Sequence, residues 1–274
     1  MYYLLTAAHK HQEAKLVEMI IAILPVEKIF LLGSTLSQRR TETVFMTDAP
    51  SCRYVSHYYL LVLVDAQCGY SNNQLQDRIE NTCRSFIPVT VIALNLQQFT
   101  NWLHEGHRFA NMVVNRAVLI YDGNKIPITI PSAVPTNTAG ENFYTQQQDL
   151  VHEFIAGAEL YIKRKQNSMA LFMLHQAAEH SLHLLLEKGT GLHINTHNIE
   201  KLLRYCSMVS FTIPEVFDRT SEAGEKLLQL LQKAYINSRY KQDVTVSAKS
   251  ISLLLERVKH LRNNITTYIS NQAN

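Results

Sequence analysis

Apolar residues at Leu4, Ala7, Ala8, Ala14, Leu16, Val17, Ile20 and Ile21 recur close to helical spacing, and Pro25 predicts the end of that helix. A short apolar run from Lys28 to Leu32 then leads directly into Gly33-Ser34, which reads as a strand turning into the next element. Thr41 to Met46 is expected to form a second strand, and His57 to Val64, rich in β-branched and aromatic residues, a much stronger one. Leu75, Ile79 and Cys83 repeat every four residues within a polar stretch, predicting a surface helix over Asn72 to Phe86. A third strand is expected at Pro88 to Leu94, two short helices on either side of Gly106, and a last strand at Ala117 to Tyr121. The alternation is that of a small α/β domain.

The pattern changes after residue 125. Residues 126–145 hold three of the chain's seven prolines among Thr, Ser, Asn and Gly, and they read as an extended connector. Beyond it the period is helical throughout: Gln148 to Lys165, Ser168 to Lys188, His197 to Cys206, Ser221 to Ser238 and Ser247 to Ile269. In the second of these, apolar residues from Ala170 to Leu186 wrap more than one face, so that helix should be central to a bundle.

Composition narrows the functional classes. The 274 residues are 46% hydrophobic and 18% charged, with a net charge of +3. Up to the start of the helical half, basic and acidic residues balance at 11 each; beyond it there are 15 basic and 12 acidic. Neither half has the basic excess of a dedicated nucleic-acid binder. The longest apolar run, Tyr58 to Val64, is far below the roughly 18 residues of a membrane span. The N-terminus carries Lys10, Glu13, Lys15 and Glu18 on its helical pattern and does not read as a secretory signal. Cys52, Cys68, Cys83 and Cys206 match neither a zinc site nor a compact disulfide framework, so free thiols in a cytoplasmic protein are expected.

The order IFLLGSTLSQ, an intervening segment, then SHYYLLVLVD resembles the minimal, kanamycin-type nucleotidyltransferase family over roughly residues 1–125. In that family a Gly-Ser turn holds nucleotide phosphates, which would fall on Gly33 and Ser34, and an Asp-x-Asp on the next strand binds magnesium. Carboxylates two residues apart share one strand face, and magnesium requires such oxygen ligands to align phosphates for in-line attack. Here the metal positions are His57 and Tyr59. The strand expected to supply a third carboxylate reads Val89, Thr90, Val91, Ile92 and has no acid. Asp65 lies too far along its strand to serve, which leaves Glu42 or Asp48 of the intervening segment as the only replacements. His57 itself has a plainer reading as a hydrogen-bonded edge histidine.

The helical half resembles the HEPN family, named for its occurrence in higher eukaryotes and prokaryotes. The matching residues are SMALFMLHQAAEH at 168–180, Gly191 to Ile199 with Leu202-Leu203, and Tyr235-Ile236-Asn237-Ser238-Arg239-Tyr240. Catalytic members cleave RNA with an Arg-x(4–6)-His motif, which joins a cation for the phosphate to an imidazole for proton transfer. The windows after Arg239 and Arg262 contain no His. Arg239, Tyr240 and Lys241 can hold a phosphate or stack on a base, or Arg239 caps a helix and Tyr240 packs on the bundle. His175, Glu179 and His183 share one helix face, and the pairs His180 with His183 and His193 with His197 also have ligand-like spacing. The resemblance favours a buried hydrogen-bonding face over a metal site. Lys163-Arg164-Lys165 reads as a helix C-terminal cluster that complements the dipole.

The expected fold class is α+β: a nucleotidyltransferase-like α/β domain with a short mixed sheet over 1–125, a linker at 126–147, and an all-α HEPN up-and-down bundle over 148–274. The expected function is non-catalytic binding of a nucleotide or nucleic acid, with no resident metal and with homodimerisation through the bundle. Two alternatives stand beside it: a divergent magnesium-dependent nucleotidyltransferase, and a dimeric interaction scaffold without a small-molecule ligand.

Overall fold

The computed structural model describes residues 7–45, 51–65, 68–123, 141–240 and 246–272. The chain forms two units, Met1–Asn137 and Thr138–Asn274.

The first unit is built on a four-stranded mixed sheet in the order β3-β2-β1-β4, with β1 at Val26–Arg40, β2 at Ser51–Val64, β3 at Val89–Asn95 and β4 at Val118–Asp122. β1 is antiparallel to both β2 and β4, and β2 is parallel to β3. The continuous apolar run of β2 is explained by burial on two sides. Tyr58, Leu60, Val62 and Val64 join a core with Leu16, Val17 and Ile20 of helix α1 (Ala7–Ile21) and Leu75, Ile79 and Cys83 of α2 (Asn72–Cys83). The alternate residues of β2, with Phe30 and Ile92, lie on the side covered by α3 (Leu96–His104) and α4 (Arg108–Arg116). There Phe30 and Phe99 meet at 6.2 Å between ring centroids. Ser71 starts α2 with a capping box, its hydroxyl accepting from the Gln74 N–H while the Gln74 side chain accepts from the Ser71 N–H. At the other sheet edge, the buried Lys28 ammonium meets Asp122 at 2.5 Å and joins β1 to β4.

Two expectations for this unit are corrected. Gly33-Ser34 is not a turn into the next element: β1 runs through it to Arg40 and pairs with β2 down to Ser51. No proline or second glycine stops the chain after Gly33, and the register irregularities between Leu31 and Gly33 and between Thr35 and Leu36 absorb the extra backbone without ending the strand. Thr41 to Met46 is not a strand over its described part. Val44 and Phe45 form a turn and are 92% and 93% exposed, while Met46 lies outside the described residues. The strand-forming potential read there is taken up by the long β1-β2 ribbon before it.

The second unit is helical. Helix α6 (Asn167–Thr190) is its centre, in contact with α5 (Glu141–Lys163), α7 (Ile199–Cys206), α8 (Glu222–Tyr240) and α9 (Ala248–Gln272). The wrap-around apolar pattern explains this position: Ala170, Leu174, Ala177, Ala178, Leu182, Leu185 and Leu186 are fully buried, too many for one face. Gly191 closes α6 in the left-handed conformation, φ 76°, where a side chain is strained. Helix α5 begins inside the segment read as a linker. Residues 141–147 have no proline or glycine to break them and join the helix, while 126–140 lie outside the described residues. Lys163 ends α5, with Arg164 and Lys165 just beyond, as the dipole argument expects. No helix among the described residues is long and apolar enough to cross a membrane.

Candidate functional site

The β1-β2 register brings the N-terminal candidates together. Gly33 lies opposite Tyr59, Ser34 opposite Tyr58 and Thr35 opposite His57, while parallel β3 sets Thr90 beside Tyr59. His57 and Tyr59 share one face of β2, and their rings lie 4.8 Å apart. The His57 Nε2 is 2.8 Å from the Thr90 hydroxyl, and the Tyr59 hydroxyl is 3.2 Å from that of Thr35. Thr90 is 1% exposed and Tyr59 7%. Next to this cluster Ser37 donates to Ser56, which donates to the Thr35 carbonyl.

The two positions at which the family resemblance expects metal carboxylates, His57 and Tyr59, are thus hydrogen-bonded to Thr90 and Thr35. This donor set does not fit magnesium, which takes hard anionic oxygens in octahedral array. The imidazole nitrogen is occupied by Thr90, and the phenol by Thr35. His57 is hydrogen-bonded, as its plainer reading expected, but it sits on an inner strand and not at a sheet edge. The replacement carboxylates do not reach it. Arg40 is already five residues past the Thr35–His57 pair, on the order of 16 Å along the strand, and Glu42 lies beyond that in an ion pair with Arg40. Asp65 follows the opposite end of β2, and Asp48 lies outside the described residues. Thr90 is the cluster residue that sequence reasoning passed over. It was visible only as a strand residue that is not an acid, because its contact with His57 depends on the parallel pairing of β3.

In the helical unit, Glu179 is the hub. It is 6% exposed and accepts from the Gln176 amide at 3.1 Å. His197 Nδ1 lies 2.9 Å from one of its oxygens, and fully buried His175 lies 3.5 Å from the other. His197 stacks on Tyr235 with centroids 4.6 Å apart and keeps about half of its side chain exposed. Burial holds the His175 imidazole below its ordinary pKa, partly offset by Glu179. His183 is pushed down to about 4, chiefly by burial; its Nε2 faces the Thr196 carbonyl at 3.3 Å and its ring stacks on His193. His180 bonds the Gln147 side chain and stacks on Phe154.

These contacts give the buried hydrogen-bonding face that the HEPN resemblance favours. They also replace the spacing-based pairs: His193 partners His183 and His197 partners Glu179, so neither His180 with His183 nor His193 with His197 forms a ligand pair. Among the described residues no group of three His, Cys, Asp or Glu is arranged to hold a metal ion. The link from His197 to Glu179 crosses 18 residues and a loop, so spacing along one helix could not show it. Arg239 and Tyr240 fall in the last turn of α8, but their side chains, and all of Lys241, lie outside the described residues. Gly33 and Ser34 belong to the first unit and Arg239 and Tyr240 to the second.

Comparison with known proteins agrees with the reading of the second unit. Residues 152–266 match the HEPN domain model, and the helical unit carries an HEPN domain there. No curated protein matches the chain. A crystal structure of a nucleotidyltransferase-like protein from Exiguobacterium sibiricum is similar over 93% of this chain and 74% of that one, at 13% identity and a TM-score of 0.27. That superposition is too loose to define a shared fold, so the reading of the first unit rests on its own strand order and register.

Proposed function

We propose that this chain is a nucleotide- or nucleic-acid-binding protein in which a nucleotidyltransferase-like unit has lost magnesium-dependent transfer and is joined to an HEPN domain. The observation that carries the reading is the His57–Thr90 hydrogen bond with the Tyr59–Thr35 contact beside it: the two positions where the resemblance expects metal carboxylates hold an imidazole and a phenol engaged with threonine hydroxyls. Two further features support it. The mixed sheet keeps Gly33 opposite Tyr59 and Ser34 opposite Tyr58, which places the Gly-Ser pair beside positions 57 and 59 along the ribbon. The second unit has the HEPN fold without the Arg-x(4–6)-His spacing of its ribonucleases. Self-association through the helical unit belongs to the same reading, and sedimentation of the full chain tests it.

The principal test is the full chain with each of the four ribonucleoside triphosphates, with and without magnesium. A ligand that binds only the folded state raises the melting temperature by mass action. The expected result is a rise with at least one nucleotide in the absence of metal, and no metal-dependent transfer of label to protein or RNA. Magnesium-dependent labelling would overturn the loss of chemistry; absence of any nucleotide or RNA binding would overturn the binding function and favour the scaffold alternative.

A further inference from the structure

Helices α5, α6 and α9 enclose an open cavity of about 470 Å³ within the helical unit. Its size is in the range of small-molecule sites, about 300 to 1,000 Å³. The floor is apolar: Val151, Leu184 and Ile265 are 1%, 6% and 1% exposed. The walls differ. On the α5 side, Gln148 donates its amide N–H to the Tyr144 hydroxyl at 2.8 Å, which leaves its amide oxygen as an acceptor. On the α9 side, Asn263 accepts two bonds from the Arg262 guanidinium at 2.8 and 3.2 Å, which leaves its amide nitrogen as a donor. An acceptor and a donor thus stand on opposite walls of an apolar floor.

Arg262 sets the charge preference. It is half-buried, lines the cavity, and makes no ion pair among the described residues; its bonds to a neutral amide fix the guanidinium plane and leave other N–H groups for a ligand. Planar guanidinium groups take carboxylate and phosphate oxygens through paired bonds. Asp149, on the α5 wall, repels an anion and so biases the anionic end of a ligand to the α9 wall. From this geometry we infer that the cavity binds a small molecule with a flat, largely apolar ring and a single anionic group, the ring over Val151, Leu184 and Ile265 and the anion on Arg262.

That chemistry has two sources, a nucleoside monophosphate and an aromatic carboxylate, and the test separates them. The full-length chain is titrated with AMP and with indole-3-acetate by calorimetry and thermal shift. The expected result is saturable binding of at least one, weakened tenfold or more by Arg262→Gln and abolished by Thr266→Trp, which fills the cavity from an exposed rim position. Lys249→Gln, elsewhere on α9, is expected to leave binding unchanged. AMP binding alone assigns the phosphate source, and indole-3-acetate binding alone the carboxylate source. Binding of neither probe overturns the site. So does binding that survives both cavity substitutions; if that binding is lost in Thr90→Val, the N-terminal unit is the nucleotide site and the proposed function stands without this cavity.

Discussion

Acid should weaken the helical unit through His183, and the size of the effect follows from its surroundings. Its imidazole is held near pKa 4 against an ordinary 6.5 because burial disfavours the charged form; Glu179 pulls the other way, while neighbouring His193 and His180 add to the lowering. The sign follows from proton counting. Below about pH 6.5 the unfolded chain binds a proton at this site that the folded chain refuses, so stability is complete above that value and falls as pH drops toward 4. Between pH 7 and pH 5 the loss from this one group is about 2 kcal/mol, which corresponds to a melting-temperature drop of roughly 8 °C for a unit of this size. His175 and His180 are shifted in the same direction by burial and steepen the decline. The measurement that isolates His183 is urea unfolding followed by helical circular dichroism at both pH values, for the native chain and for His183→Gln. The glutamine amide can still donate to the Thr196 carbonyl but does not titrate. The native chain should lose about 2 kcal/mol more than the variant across this range. Parallel losses in the two proteins would refute the argument.

Other outcomes follow from single contacts. Thr90→Val removes the hydroxyl that meets the His57 Nε2 and should cost about 1 kcal/mol in urea unfolding of the first unit; an unchanged midpoint would show that this contact carries no stability. Gly224→Ala would place a Cβ 1.8 Å from the Asp218 carbonyl oxygen, backbone that cannot yield, so a loss of about 3 kcal/mol or failure to fold is expected, read by melting temperature and yield. Thiol counting should separate the cysteines: exposed Cys52 reacts in the native chain, whereas Cys83, pushed up to about 11 by burial, and fully buried Cys206 react only after unfolding. Rapid labelling of Cys83 without denaturant would contradict the packing of α2 on the sheet.

Local period and burial explain what could be read in advance. Helix α6 announced its central place because its apolar residues exceed one face, and β2 announced its inner place because alternation gave way to a continuous apolar run. The proximity of Gly33-Ser34 to His57 and Tyr59 was legible through family resemblance, although the turn imagined there is a strand with irregular register. What escaped notice is non-local. Thr90 reaches His57 only because β3 is parallel to β2, and His197 reaches Glu179 only because the loop after Gly191 folds back along α6. The cavity between α5 and α9 joins residues more than a hundred positions apart, and no periodicity within either helix encodes it.

The His57–Tyr59 cluster on β2 also allows a test of the proposed absence of magnesium chemistry. Because positions 57 and 59 project on one face of β2, with Gly33 opposite position 59, His57→Asp with Tyr59→Asp should create a magnesium site. The double variant loses the bonds to Thr90 and Thr35 and sets two carboxylates side by side, so without metal it should be less stable than the native chain. Magnesium should then restore part of that loss: a site with a dissociation constant near 1 mM, in about 10 mM magnesium, returns about 1.4 kcal/mol. The native chain, with imidazole, phenol and threonine at these positions, should show no such rise in melting temperature. An equal response of both proteins would mean that magnesium binds elsewhere. No response in a folded double variant would mean that the strand geometry at positions 57 and 59 does not suit magnesium even when carboxylates stand there, so that the backbone and not the side chains alone excludes metal chemistry at this face.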